Sequence, residues 1–223
     1  VNRFKIGDEV FATTFDKNFG GYAEYKCFSE KDGITLKPPS LSFGEAAASV
    51  GGGATALRCL EYAGIKAGQE VLVYGASGAV GSNAVQLAVN EFGAKVTAVC
   101  STSNMAWVKE LGAEKVLDYT SPDFHLETDQ YDVFMDAVSK YPQEKAKCAL
   151  KFGVVYVNVH NDRHTKMTLS PLEELQRLKE FLENGKYKPH IDRVYTMSEI
   201  VDAHAYVEKG HKKGNVVISI VEI

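Results

Sequence analysis

The chain lacks paired cysteines. Its four, Cys27, Cys59, Cys100 and Cys148, stand far apart and give none of the C-x-x-C spacing that structural zinc sites use. Free thiols are expected, and no metal. No apolar run approaches the roughly 20 residues needed to cross a bilayer. The opening VNRFKIGDEV has neither the charged-then-apolar shape of a signal peptide nor a cleavage site, so no membrane partner and a cytoplasmic location are expected. Charge of one sign is not in excess: 25 basic and 29 acidic residues leave a net charge of -4, which provides no general attraction to nucleic acid. Histidines are dispersed. His160 and His164 would suit a metal only on a helix, and the intervening NDR reads as loop. His204 and His211 read as surface or packing residues. What the chain has is apolar content, 45% over 223 residues, enough to bury a core in one or two domains.

Through about Ser40, short β-type runs (EVFATTF, YAEYKCF, ITLKP) are broken by Gly20-Gly21, Lys31-Asp32-Gly33 and Pro38-Pro39, the pattern of an antiparallel region. From about Phe43, FGEAAASV and ATALRCLEYAG read as helices, with Gly51-Gly52-Gly53 as a break between them. After Gly68 the chain alternates: VLVY, SNAVQLAVNEFG, KVTAVCS, NMAWVKELG, KVLDY, then DVFMDAV as a strand, QEKAKCALKFG as a helix and VVYVNV as a strand. Such alternation specifies parallel strands with crossover helices, covered on both faces. Ser170 is well placed to cap PLEELQRLKEFLENG, whose Leu172, Leu175, Leu178, Phe181 and Leu182 share one face and which ends at Gly185. KPHIDRVYTM, the helix SEIVDAHAYVEKG and a closing strand NVVISIVEI follow. This tail is expected to rejoin the first segment, so that residues 1–46 and 169–223 form a discontinuous β-rich domain around a nucleotide-binding domain of residues 47–168.

The chemistry centres on Gly75-Ala-Ser-Gly78-Ala-Val-Gly81, which follows the strand VLVY and opens a helix. A glycine in such a turn lets backbone approach a ligand closely, and the helix N-terminus offers unpaired N–H groups to a pyrophosphate. A later glycine permits close packing of helix on strand. The alternative is a tight turn that binds nothing. A Walker loop would need Lys-Ser or Lys-Thr at the helix start, and Gly81 is followed by Ser82-Asn83. The second strand ends in Cys100-Ser101-Thr102-Ser103-Asn104, where an NAD-specific site would carry Asp or Glu. Short hydroxyl and amide donors can surround a 2′-phosphate, so NADPH is expected over NADH. The same STSN could instead simply cap the next helix.

The order GDEVFA, GGYAEY, LSFGEAAA, TAL, VLVYGASGAVGSNAVQLA, LGAEKVLDY and GHKKGNVVI resembles the zinc-free quinone oxidoreductase branch of the medium-chain dehydrogenase/reductases, over nearly the whole chain. The resemblance implies an α/β Rossmann doubly wound parallel sheet plus a partial, β-rich GroES-like catalytic domain, with the cofactor in a cleft and a homodimer as the assembly. It implies that Ser77, Gly78, Ala79 and Val80, flanked by Gly75 and Gly81, cradle the pyrophosphate. Ser101, Asn104 and Tyr119 would surround the adenosine ribose and its phosphate, although Tyr119 also reads as a half-buried aromatic closing a strand. Thr55 and Val138 would lie near the nicotinamide, with Asn158 and Val159 as further candidates; Thr55 also reads as a helix cap. Against the family, the chain starts where the catalytic domain is already well advanced. The stretch from His160 to Met167 is also short, because the family has a further helix before the strand corresponding to TKMTL; lost residues are expected there.

The activity implied is zinc-independent hydride transfer from NADPH to a quinone or to the β-carbon of an α,β-unsaturated carbonyl, a small-molecule electrophile in either case. The cofactor carries the chemistry, and no catalytic side chain is assigned. Two other readings stand beside it: a zinc-dependent alcohol dehydrogenase with ligands in the absent segment, and a non-catalytic NADPH-binding structural or regulatory protein.

Overall fold

Five apolar runs in the middle of the chain become parallel strands: β3 (Glu70–Tyr74), β4 (Lys95–Cys100), β5 (Lys115–Asp118), β6 (Tyr131–Asp136) and β7 (Leu150–Asn158). They hydrogen-bond in the order β5-β4-β3-β6-β7, each neighbouring pair parallel. The order reverses at β3, with α2 (Ala79–Asn90) after β3, α3 (Met105–Glu110) after β4 and α4 (Gln143–Ala149) after β6. This is the doubly wound α/β Rossmann sheet that the alternation predicts. The computed structural model describes residues 2–15, 19–126, 130–161, 163–166 and 168–220, apart from the side chains at 153 and 154.

The sheet is held by burial on both faces. Val71, Leu72 and Val73 are consecutive and fully buried, which a strand achieves only when both sides are covered. Leu72 joins Val99, Phe134 and Tyr131 in a cluster with Ala146 and Ala149 of α4. Along α2, Ala84, Val85, Leu87 and Ala88 are also fully buried. Each Leu, Val or Phe so buried contributes about 1.5–3 kcal/mol.

The chain divides into two compact units, Thr55–Lys166, which holds this sheet, and Val1–Ala54 with Met167–Ile223. The second contains an antiparallel pair, β1 (Val10–Ala12) with β2 (Ile34–Leu36), and a parallel pair, β8 (Ile191–Thr196) with β9 (Asn215–Ser219). It also holds α5 (Pro171–Glu183) and α6 (Ile200–Glu208). Ser170 caps α5 with a full capping box to Glu173, and Leu175, Leu178, Phe181 and Leu182 form its buried face.

Four local readings differ. Gly51-Gly52-Gly53 does not break the helix: α1 runs unbroken from Phe43 to Tyr62. The reason is packing, since a Cβ at Gly53 would lie 2.7 Å from the hydroxyl of Tyr187, a fully buried side chain whose hydroxyl donates to the carbonyl of Ser49 at 3.3 Å. YAEYKCF forms no strand, and Tyr25 within it is 89% exposed; β-type residues adopt a strand only where a partner strand pairs with them. QEKAKCALKFG stops being helical at Ala149, because Leu150 onward pairs with β6. Residues 159–161, 163–166 and 168–170 carry neither helix nor strand, so TKMTL adds no strand among the described residues.

Candidate nucleotide-binding site

The turn after β3 is built by its glycines. Gly75 adopts a left-handed φ of +79°, and a Cβ there would meet Val138 Cγ1 at 2.6 Å, so the turn and the loop after β6 close on each other only with glycine. The N–H groups of Gly75 and Ala76 both donate to the Val99 carbonyl at 3.0 Å, tying the turn to β4. At Gly81 a Cβ would lie 2.2 Å from the Gly75 carbonyl oxygen and 2.8 Å from Ala76 Cα; this glycine lets α2 sit directly on the turn. Gly78, the N-cap of α2, is extended and makes no side-chain cap, and the first turn holds no acid. Its N–H donates to Gly75, and the first intrahelical bond comes from Ser82 N–H to the Gly78 carbonyl. The N–H groups of Ala79, Val80 and Gly81 therefore have no acceptor within the helix and lie at the positive end of its dipole. Ser77, Ala79 and Val80 are part-buried beside them.

On the β4 side, Asn104 is buried and doubly engaged: its amide donates to Ser101 Oγ at 3.0 Å and its carbonyl accepts from Trp107 Nε1 at 3.2 Å. Ser101 lies 3.4 Å from the Ser103 hydroxyl. STSN thus forms a self-bonded loop that also starts α3. Tyr119, just past β5, is 42% exposed; its N–H donates to the Cys100 carbonyl and its ring lies 6.1 Å from that of Tyr74. One residue on this side was missed. Asp118 pairs in register with Cys100, accepts from the Thr102 hydroxyl, and accepts from Thr120 N–H at 2.8 Å and its hydroxyl at 2.6 Å. The Thr102 hydroxyl above all, with Thr120, holds its carboxyl below the usual range. Only the β4–β5 register brings this acid to the STSN loop; along the chain it is 14 residues beyond Asn104.

On the other side of β3, Val138 follows β6 and Asn158 ends β7. The buried Asp136 was also missed: it accepts from Val138 N–H at 3.1 Å, Tyr141 N–H at 2.9 Å and the Tyr156 hydroxyl at 3.3 Å, and so fixes the loop that carries Val138. Asn158 is a keystone: its amide donates to Tyr156 at 3.2 Å, while its carbonyl accepts from the Ser139 hydroxyl and from His160 N–H at 2.8 Å. Its backbone N–H donates to His164 Nδ1 at 3.0 Å, and Val159 N–H donates to the Asp136 carbonyl. Thr55 is part-buried in α1. All thirteen expected residues fall in the Thr55–Lys166 unit, and all but Thr55 follow or end a strand of its sheet. Among the described residues no group of three or more His, Cys, Asp or Glu is placed to hold a metal ion, and no helix is long and apolar enough to cross a membrane.

The family described as zinc-binding dehydrogenase matches residues 111–218. The 2-methylene-furan-3-one reductase of Solanum lycopersicum is 39% identical over 98% of this chain and 59% of that protein. The chloroplastic NADPH-dependent alkenal/one oxidoreductase of Arabidopsis thaliana is 35% identical with the same coverage, so the chain spans 59% of the length of both relatives. The chloroplastic quinone-oxidoreductase QR1 of Triphysaria versicolor is 34% identical over 98% of this chain and 74% of that protein. Solved structures similar to the chain include the quinone oxidoreductase of Coxiella burnetii (TM-score 0.82, 30% identity, 99% of this chain and 74% of that one) and that of Thermus thermophilus, solved also in complex with NADPH (TM-score 0.69, 25% identity, 84% and 69%). With sequence and fold agreeing over nearly its whole length, this chain belongs to the quinone oxidoreductase branch of the medium-chain dehydrogenase/reductase superfamily.

Proposed function

We propose that the Thr55–Lys166 unit binds NADPH and serves a zinc-independent reductase of quinones or α,β-unsaturated carbonyls. The observation that carries this reading is the uncapped N-terminus of α2, set by Gly75, Gly78 and Gly81 at the strand where the sheet order reverses, the position at which open α/β sheets take dinucleotides. The residues fit the cofactor. The space beside Gly78 is open, a Cβ there meeting only the Gly75 carbonyl at 3.5 Å, and three N–H groups await an anion. The hydroxyls of Ser101 and Ser103 are donors for a phosphate on the adenosine ribose, with Tyr119 exposed close by. Asp118 opposes that phosphate by charge; its hydrogen bonds to Thr102 and Thr120 turn both oxygens to the loop, and on balance NADPH is favoured, as in the Arabidopsis relative's name.

Bound NADPH supplies a hydride. That hydride would serve the reduction of a quinone or of the β-carbon of an α,β-unsaturated carbonyl. The chain's own part would be to hold the pyrophosphate at the N-terminus of α2 and to fix the loop after β6, through Asp136 and the Ser139–Asn158 bond, with Val138 toward the nicotinamide half.

Trp107 is the chain's single tryptophan and bonds Asn104, so its fluorescence reports the site. Titration with NADPH is expected to quench it at lower concentration than NADH, and NADPH is expected to be oxidised by phenanthrenequinone or an enone, with no metal found by elemental analysis. Failure to bind either nucleotide would sink the reading; binding without turnover on any quinone or enone would favour the non-catalytic alternative.

A further inference from the structure

We propose that Asn83, in the second turn of α2, is a positioning residue for the dinucleotide: its side-chain amide holds an internal water that completes the pyrophosphate cradle at the helix N-terminus. This deepens the nucleotide reading and rests on it for the identity of the anion.

Asn83 is fully buried, and neither its amide nitrogen nor its carbonyl oxygen has a hydrogen-bond partner among the described residues. No other described side chain has both a donor and an acceptor so placed. A buried amide without partners lowers stability, whereas an apolar group of the same shape does not. Groups of this kind are satisfied by ordered water, which makes about three hydrogen bonds. The polar neighbours of Asn83 are satisfied within the helix itself: the Ser82 hydroxyl donates to the Ala79 carbonyl at 3.4 Å, and the Gln86 amide donates to the Ser82 carbonyl at 3.2 Å. Asn83 does not turn back in this way, although asparagine readily bonds to nearby backbone.

Its place on the helix says what the amide serves. Side chains of an α-helix lean toward the N-terminus, and residues three and four apart share a face. Asn83 therefore lies below Ala79 and Val80, which are part-buried and whose N–H groups have no intrahelical acceptor. Beside them the space at Gly78 is open, since a Cβ there would meet only the Gly75 carbonyl at 3.5 Å. A water that accepts from the Asn83 N–H keeps both of its hydrogens to give, which suits a phosphate oxygen. A carboxylate at this position would repel the pyrophosphate, and an aliphatic side chain would hold no water. Gln130 Oε1, also buried without a partner, lies at the start of β6, the opposite end of the strands, and serves as a control.

The test compares Asn83→Leu with the unsubstituted chain. NADPH and NADH share the pyrophosphate, so both are expected to bind at least about fivefold more weakly to the variant, with their affinity ratio unchanged. Adenosine 2′-phosphate, which has no pyrophosphate, is expected to bind both chains equally. The melting temperature of the unliganded variant is expected to equal or exceed that of the unsubstituted chain, because a buried group without partners is removed. Asn83→Ala repeats the affinity comparison without added volume. In the unsubstituted chain the Asn83 side-chain amide signals, followed by NMR, are expected to shift saturably as NADPH is added, while those of Gln130 stay in place. Unchanged NADPH and NADH affinity in both variants, or Asn83 signals that do not move, overturns the proposal and leaves the nucleotide site standing. An equal loss for adenosine 2′-phosphate overturns it in favour of a packing role. Failure of the unsubstituted chain to bind either nucleotide removes the nucleotide reading, and the proposal with it.

Discussion

At the scale of single residues, two kinds of position shape the proposed nucleotide site. Gly81 is steric: its Cβ would meet backbone atoms of the same turn, which cannot move aside as a side chain can. Gly81→Ala is expected to push α2 off the turn, costing about 1–3 kcal/mol in urea unfolding and weakening NADPH by more than about tenfold where N–H geometry carries the affinity. Asp118 is electrostatic. Asp118→Asn removes a charge that repels a 2′-phosphate and leaves the NADH ribose less affected, so the NADPH-to-NADH affinity ratio is expected to rise in the Trp107 titration; a fall would mean that the acid positions the loop instead. The thiols divide by burial. Desolvation pushes Cys59 up to about 12 and Cys100 to about 11, whereas Cys27 and Cys148 are exposed. Ellman's reagent is expected to modify two thiols quickly and the other two only on unfolding, since the thiolate is the reactive form.

At the scale of elements, α1 and α5 begin on capping boxes, and a third box opens the 3-10 turn Met197–Glu199 that leads into α6. Glu45 accepts from Ser42 N–H at 2.9 Å, Glu173 accepts from the Ser170 hydroxyl at 2.7 Å, and Glu199 accepts from Thr196 N–H at 2.8 Å. Each carboxyl is held below its ordinary 4.5 by those bonds. A folded pKa below the unfolded one means stability that is present above about 4.5 and lost as pH falls through the folded value. Thermal melts by circular dichroism between neutral pH and pH ~3 are expected to show a smaller acid loss when the three are changed to Gln. The helix α1 offers a second test. Gly→Ala in a helix ordinarily gains about 1 kcal/mol, but Gly53→Ala is expected to lose about 1–3 kcal/mol by overpacking against Tyr187. Tyr187→Phe alone loses the bond to Ser49, about 1 kcal/mol. The double variant is expected to be at least about 0.5 kcal/mol more stable than the sum, because removing the hydroxyl relieves the clash.

At the scale of the whole molecule, a ligand that binds only the folded chain stabilises it. NADPH at a hundredfold excess over its Kd is expected to add about 2.7 kcal/mol, which at about 2–4 °C per kcal/mol for a chain of this length is a melting shift readable through Trp107. NADH at the same concentration is expected to shift it less. An equal shift would mean that the STSN loop does not discriminate the 2′-phosphate.

The alternation of short apolar runs with amphipathic ones determined the doubly wound sheet, and Gly75-Ala-Ser-Gly78-Ala-Val-Gly81 after a strand determined the tight turn and the uncapped start of α2, because both depend on local periodicity and turn chemistry. The Ser170 cap and the buried face of α5 were legible for the same reason. Strand register and side-chain closure are not local. Asp118 reached the STSN loop only through pairing with Cys100, Asp136 became the anchor of the β6 loop only through groups far along the chain, and Gly53 kept its helix because Tyr187, 134 residues later, packs against it. Those contacts join positions whose separation leaves no pattern in the chain, so only the tertiary structure could decide them.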